Sequence, residues 1–371
     1  MRARRSLALA SAALLGLAAC QLLVGVEDEP GARRPDASTA DAAEAAVETD
    51  RCVKRHPPPP PSDTPSVDAD AAPLVFAIRT FRGRPRGQPL IGYDLDDRCT
   101  GDPASLSSDS PCEPPNRREP LADEDGGIDN ALGMAVTGFA ALSDAGDPFG
   151  AAATKNIDVG KSTNLISVFE YDGQANDGHV VAQIELAAGL LSTGCGDGGA
   201  QNGPQWDGCD TWARAPGLIP GRPGLTRQYD GYVTDGMLVI RGEEMNLGLL
   251  VGEITIYDAV LTAEVVRTEG KTTLKNGIIA GRAAAVDVVS AVQYVDFDHV
   301  VVCNNPASFE LARTTICRSR DLPLRRYDDG HGVACEAVSF AMGFDAEIAL
   351  AGEVREMPPP PSCPPRDAGC E

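Results

Sequence analysis

Apolar and polar residues alternate in short runs between residues 73 and 352. In His179 to Leu186, the residues Val180, Ala182, Ile184 and Leu186 share one face while Gln183 and Glu185 fall on the other. A period of two marks a half-buried strand. Leu74 to Phe81, Asn164 to Tyr171, Glu253 to Val266 and Ala337 to Leu350 are further β-rich runs. Asp235-Gly236 lies between Tyr232–Thr234 and Met237–Arg241, and Asn276-Gly277 lies between Thr272–Lys275 and Ile278–Arg282. Both dipeptides favour the left-handed backbone of two-residue turns, so each predicts a hairpin.

Helical spacing is rarer. Leu132, Val136, Phe139 and Leu142 recur at helical intervals and predict a helix over 131–142. Asn305 followed by Pro306 reads as an N-cap and first helical residue, predicting a helix over 306–318. A third helix is expected over 283–292. Many short strands with few helices predict a mainly β fold: an antiparallel β-sandwich or jelly roll with a few helical insertions.

Two proline runs, Pro57 to Pro61 and Pro358 to Pro361, bracket that region. Residues 20–72 are rich in Ala, Pro, Asp and Glu and hold too little apolar material for a core, so they read as a disordered or extended tether. The first proline run favours a stiff polyproline II spacer. The organisation expected is a leader over 1–19, the tether over 20–72, the β domain over 73–352 and a Pro/Cys-rich tail over 353–371.

The leader carries Arg2, Arg4 and Arg5 before an apolar run from Leu7 to Leu17. That run is shorter than the ~20 residues a permanent span needs, so it reads as a removable signal peptide. Leu17-Ala18-Ala19-Cys20 resembles the lipobox of bacterial lipoproteins, which implies lipid attachment at Cys20. Gln21 in place of aspartate implies sorting to the outer membrane. A lipid anchor with more than one acyl chain holds stably.

The chain has eleven cysteines. With Cys20 given to lipid, the others can form up to five disulfides, as expected of an exported chain. Cys99/Cys112, Cys195/Cys209 and Cys303/Cys317 are close enough to close short loops, each worth about 3 kcal/mol in the chain-entropy model. Spacing alone leaves the pairing open. A bridge between Cys52 and Cys363 could also join the two ends.

The net charge of -22 repels nucleic acid and favours cations. Calcium takes six to eight oxygen ligands, and DEDGGIDN at 123–130 clusters several around a glycine turn. Asp123, Asp125, Asp129 and Asn130 are the candidate ligands, with Asp94, Asp96 and Asp97 able to add oxygens if folding brings them near. The segment is not an EF-hand, since its fifth position is Gly127 and its twelfth is Met134. The plainer alternative is a solvated loop whose aspartates suit the start of the following helix.

Trp206 and Trp212 bracket Cys209 and stand beside Asp207 and Asp210. Paired aromatics with carboxylates can bind a glycan; equally, both rings can fill the core. His179 and His331 sit in glycine-rich turns near acids and read as exposed loop residues. Gly160-Lys161-Ser162 lacks the first glycine of a phosphate loop, that position being Lys155. There is no G-x-S-x-G and no H-E-x-x-H.

Gly92-Tyr93-Asp94-Leu95-Asp96, DEDGGIDN and WDGCDTW at 206–212 together resemble uncharacterised exported lipoproteins of myxobacteria and their relatives. The resemblance spans most of the chain from about residue 73. It implies an envelope location and no particular activity. The function expected is a non-enzymatic binding or structural module attached to the membrane by lipid, with a protein or glycan ligand. The alternative is a hydrolase of glycan or another polymer using carboxylates as acid and base.

Overall fold

The computed structural model describes residues 52, 54–62, 72–83, 91–103, 105–106, 109–117, 119–140, 147–196, 203–216, 218–219, 222–223, 226–249, 252–268, 270–297, 300–359 and 362–370. The expected leader and Cys20 lie outside these residues.

The alternating runs form the ten strands of the main sheet: β1 (Leu74–Arg82), β2 (Thr163–Phe169), β3 (Asp177–Ser192), β4 (Thr211–Arg214), β5 (Gln228–Thr234), β6 (Met237–Leu249), β7 (Gly252–Thr268), β8 (Lys271–Ala284), β9 (Ala337–Ile348) and β10 (Leu350–Val354). Their order is β10-β4-β3-β2-β1-β9-β8-β7-β6-β5, and β5 pairs back onto β3. Eight antiparallel strands, β3-β2-β1-β9-β8-β7-β6-β5, therefore close on themselves. The fold is a barrel rather than the expected sandwich or jelly roll. Closure depends on the length of β3. Its first half pairs with β5, Ala182 opposite Tyr229, and its second half pairs with β4, Ala187 opposite Arg214. Pairing the two ends of the sheet leaves the ring no free edge.

One face of the ring is largely apolar. Ile78, Ile166, Ile184, Ile240, Leu261, Ile279 and Phe344 are all buried in a single cluster. Val180, Ala182 and Ile184 point into it, as the alternation in β3 predicts. The outer face is covered in two places. Tyr93, Leu95 and Leu322 pack over Tyr232, Val239, Val260, Ala280 and Ala341. Trp212 and Ala349 pack with Ala77, Leu165 and Ala187.

The helices are α1 (Ala131–Ala140), α2 (Pro148–Asp158), α3 (Ala285–Val292) and α4 (Pro306–Arg318). Asn305 caps α4 as expected, accepting from the N–H groups of Ala307 and Ser308. Helix α2 went unpredicted, although Asp147 at its N-cap and Pro148 at its first turn are the same signal.

Of the two turn dipeptides, one makes a hairpin. Asp235 and Gly236 both have positive φ, 50° and 78°, and join β5 to β6. Asn276-Gly277 instead lies within β8, where the register shifts against both neighbours. Asn276, at φ 50°, forms a bulge held by Asp345 Oδ1 accepting its N–H and by its own Nδ2 donating to Glu264. The left-handed preference that suits a hairpin also suits a bulge. The chain reverses at Gly270, φ +80°, between β7 and β8.

Five disulfides are present: Cys52–Cys99, Cys112–Cys335, Cys195–Cys209, Cys303–Cys363 and Cys317–Cys370. Only Cys195–Cys209 matches a short-loop pair. Cys99/Cys112, Cys303/Cys317 and Cys52/Cys363 are not bonded. The barrel brings distant segments to the same wall, so most bridges span long stretches of chain. The tail is consequently part of the domain: Cys363 and Cys370 fasten it to α4 and the turn before it, and Arg366 donates to Cys303 O at 2.9 Å.

Candidate functional site

The covering over β5–β9 carries a group of buried carboxylates. Asp94 and Asp96 lie in the turn after Tyr93, whose hydroxyl meets Thr262 Oγ1 at 2.8 Å on the barrel wall. Asp129 immediately precedes the cap of α1 and pairs by backbone with Tyr93. Carboxylate oxygens of Asp94, Asp96 and Asp129 all lie within 4.8 Å of one another. Asp123 and Asp321 stand close enough to perturb this group.

Each acid is held by one oxygen. Asp94 Oδ1 accepts the N–H groups of Asp96 at 3.2 Å and Asp97 at 2.6 Å. Asp96 Oδ1 accepts from Arg98 N at 2.9 Å. Asp129 Oδ2 accepts from Leu95 N at 2.6 Å, and Asp123 Oδ2 from Thr100 N at 2.6 Å. The other oxygens of Asp94 and Asp96 are buried with no hydrogen-bond partner among the described residues. Asp321 differs, because both its oxygens accept from Ser339, through N–H at 2.7 Å and Oγ at 2.5 Å.

Gly127 makes the close approach possible. At φ +63° its backbone is one that side chains rarely adopt, and an added Cβ would lie 2.6 Å from Arg98 O and 3.2 Å from Asp94 Oδ2.

Carboxylates gathered out of water resist ionisation. Burial pushes Asp94 up to about 6. Burial, opposed in part by the hydrogen bonds that Ser339 donates, raises Asp321 to about 7. Asp96, Asp123 and Asp129 are raised first by burial and then by a neighbouring carboxylate, Asp94 in the case of Asp96 and Asp96 in the case of Asp123 and Asp129. Without a cation the group must hold protons, and Asp123 and Asp129 share a side-chain hydrogen bond. With a cation, the same oxygens become ligands.

The expected set is partly assembled. Asp123 and Asp129 belong to the group, but Asp125 is exposed. Asn130 is spent on structure: its Nδ2 donates to Ile91 O at 2.8 Å and its Oδ1 accepts from Gly133 N at 2.9 Å and Ala341 N at 3.2 Å. Asp94 and Asp96 take the places of these two. Asp97 faces outward, beside His56 at 3.5 Å and paired with Arg326. Asp321 had no sequence signal of its own; it joins because β9 crosses behind the loop.

The tryptophan loop has a different character. Trp212 is fully buried, with Trp206 tilted against it at 6.3 Å between ring centroids. Arg79 lies over the Trp206 ring at 5.7 Å. Asp210 accepts from the N–H groups of Gly194, Gln205 and Trp206. Asp207 accepts from Cys195 and Cys209, and these bonds hold its carboxyl below the usual range. Asp207 and Asp210, the acids expected beside a glycan, tie the disulfide loop together, and Trp212 fills the wall. His179 lies 3.2 Å from Glu170, and His331 is exposed.

Comparison with protein-family models, with curated proteins and with solved structures finds no match for this chain.

Proposed function

We propose that the chain is a cell-envelope lipoprotein, held at the outer membrane by lipid on Cys20, whose barrel is a non-enzymatic binding or structural module. The observation that carries this reading is the set of five disulfides on the described cysteines. Such a framework forms and persists in an oxidising, exported setting. It leaves Cys20, in its lipobox-like context, as the cysteine available for lipid. No helix of the described residues is long and apolar enough to cross a membrane.

Within this reading the carboxylate group is a structural centre. Its members come from 94–96, 123–129 and, behind them, 321. Backbone N–H donors hold each of them in place, which suits a fixed centre that joins loops to the wall.

The test is fractionation. The wild-type chain should remain with membranes after high-salt and carbonate washes, and Cys20→Ala should move to the soluble fraction. A washed membrane that retains Cys20→Ala as firmly as wild type contradicts the lipid anchor.

A further inference from the structure

The geometry points to one calcium ion bound by Asp94, Asp96, Asp123 and Asp129, an ion that also pins residues 54–58, the root of the tether, to the barrel. This rests on the reading of the carboxylates as a structural centre and adds the ligand and what it controls.

The first support is the pair of unsatisfied oxygens. Asp94 is 5% exposed and Asp96 is 7% exposed, yet Oδ2 of each lacks a hydrogen-bond partner among the described residues. Buried polar atoms are nearly always paired, by protein, water or an ion. One carboxylate oxygen from each of Asp94, Asp96 and Asp129 lies within 4.8 Å of the others. Two orphaned oxygens in side chains clustered with a third carboxylate are what a cation would satisfy.

The second support is charge. Arg282 is the fully buried cation nearby, but its guanidinium is bonded to both oxygens of Asp329. Lys54 directs its Nζ to the carbonyl of Asp97 rather than to a carboxylate, at 2.5 Å. The group thus lacks a committed counter-ion from these two side chains.

The donor set selects the metal. All four ligands are hard carboxylate oxygens, and the ten described cysteines are consumed in disulfides. That rules out thiolate ligation, and the four acids themselves supply no imidazole, the donors that zinc and copper favour. Magnesium demands near-ideal octahedral geometry and keeps several waters, whereas calcium accepts a crowded, irregular oxygen shell. Four carboxylates on two loops, three of them buried and Asp123 half-buried, fit the second description.

The tether root lies on the same loops. Arg55 N–H donates to Gly126 O at 3.1 Å, and Asp94 N–H donates to Arg55 O at 2.9 Å. One residue of the root therefore bridges the 94–97 turn and the 123–129 turn, the two stretches that supply the ligands. Tyr232 donates its hydroxyl to Pro58 O at 2.5 Å, and the Arg55 guanidinium stands 5.8 Å over the Tyr93 ring. An ion that fixes both turns fixes the groove between them.

Calcium chloride titrated into the chelator-stripped, oxidised full chain should bind with a stoichiometry of one by calorimetry. Asp94→Asn and Asp96→Asn should weaken binding by at least the 10–100-fold that loss of a metal's outer-shell partner costs. Asp125→Asn should not change it. Trypsin cleavage after Lys54 and Arg55, followed by mass spectrometry, should be markedly slower in calcium than in chelator. Magnesium at the same concentration should protect less. Because the wild-type chain alone answers the main question, misfolded variants do not leave it open. Absence of calcium binding by the wild type overturns the ion site. Calcium binding with unchanged cleavage after Lys54 and Arg55 overturns the pinning. Neither result bears on whether Cys20 holds the membrane.

Discussion

Arg282 meets Asp329 with both arms of its guanidinium, Nη1 to Oδ1 at 2.6 Å and Nη2 to Oδ2 at 2.6 Å. The same side chain donates to Leu95 O at 2.9 Å and to Pro323 O at 3.2 Å. Leu95 stands between Asp94 and Asp96, so a buried arginine on β8 supports the backbone of the acidic turn while its charge is spent elsewhere.

Removing it should be costly. Breaking a buried ion pair typically costs about 3–5 kcal/mol, since the remaining charge is left without its partner. Arg282→Met should lose stability in that range by urea denaturation. Arg282→Lys should recover little, because an ammonium cannot reproduce the two-armed contact with Asp329 or reach Leu95 O as well. Full recovery by lysine would mean that the pairing geometry is unimportant.

The turn at Gly127 offers a second test. Gly127→Ala forces a Cβ toward Arg98 O and Asp94 Oδ2 and requires positive φ of a residue with a side chain. A loss of about 1–3 kcal/mol is expected from strain and overpacking. Calcium affinity should fall with it. Gly236→Ala also needs positive φ, but its Cβ would meet nothing within 4 Å. It should therefore cost less and leave calcium affinity unchanged. Equal losses at the two sites would show that the space around Asp94 does not matter.

The carboxylates fix the sign of the pH dependence. Asp94 is raised to about 6 and Asp321 to about 7 in the folded chain. An unfolded aspartate titrates near ~3.9. Between about pH 4 and 7 the folded state therefore binds more protons than the unfolded state, and stability falls as pH rises through that window. In chelator, the urea midpoint should be higher at pH 5 than at pH 7.5. Calcium replaces those protons, so its stabilising effect should be larger at pH 7.5 than at pH 5. A chelated chain that gains stability on going from pH 5 to 7.5 would contradict the burial of these groups.

The two tryptophans should separate. Trp212 is fully buried among Ala77, Leu165, Ala187 and Ala349, so Trp212→Ala should cost about 3–5 kcal/mol. Trp206 is only half-buried beneath Arg79, and Trp206→Ala should cost less. Thermal melts of both variants check the ranking, and a reversed order would contradict it.

Much of the barrel was legible because inward and outward residues alternate, as Val180 to Leu186 shows. Closure was not, because the same alternation serves a sandwich and a ring. What decides between them is the partner of each strand edge, and the pairing of Ala182 with Tyr229 leaves no local signature. Asn276-Gly277 misled for a related reason: its left-handed preference is local, while hairpin or bulge depends on whether the flanking strands turn back. Half of the carboxylate group was legible in Asp123 and Asp129. Asp94 and Asp96 lay in view as possible additions, but only the packing of Tyr93 against Thr262 brings them in. Asp125 and Asn130, from the same segment, point to solvent and to the cap of α1. Disulfide pairing followed the same rule, since Cys112 and Cys335 meet across 223 residues.

The most direct measurement is a crystal structure of the oxidised full chain grown in calcium, with anomalous data collected at long wavelength. The expected result is one anomalous peak at about 2.3–2.6 Å from oxygens of Asp94, Asp96, Asp123 and Asp129. Density for water alone among these carboxylates, or direct hydrogen bonds between them with no anomalous signal, would contradict the calcium centre.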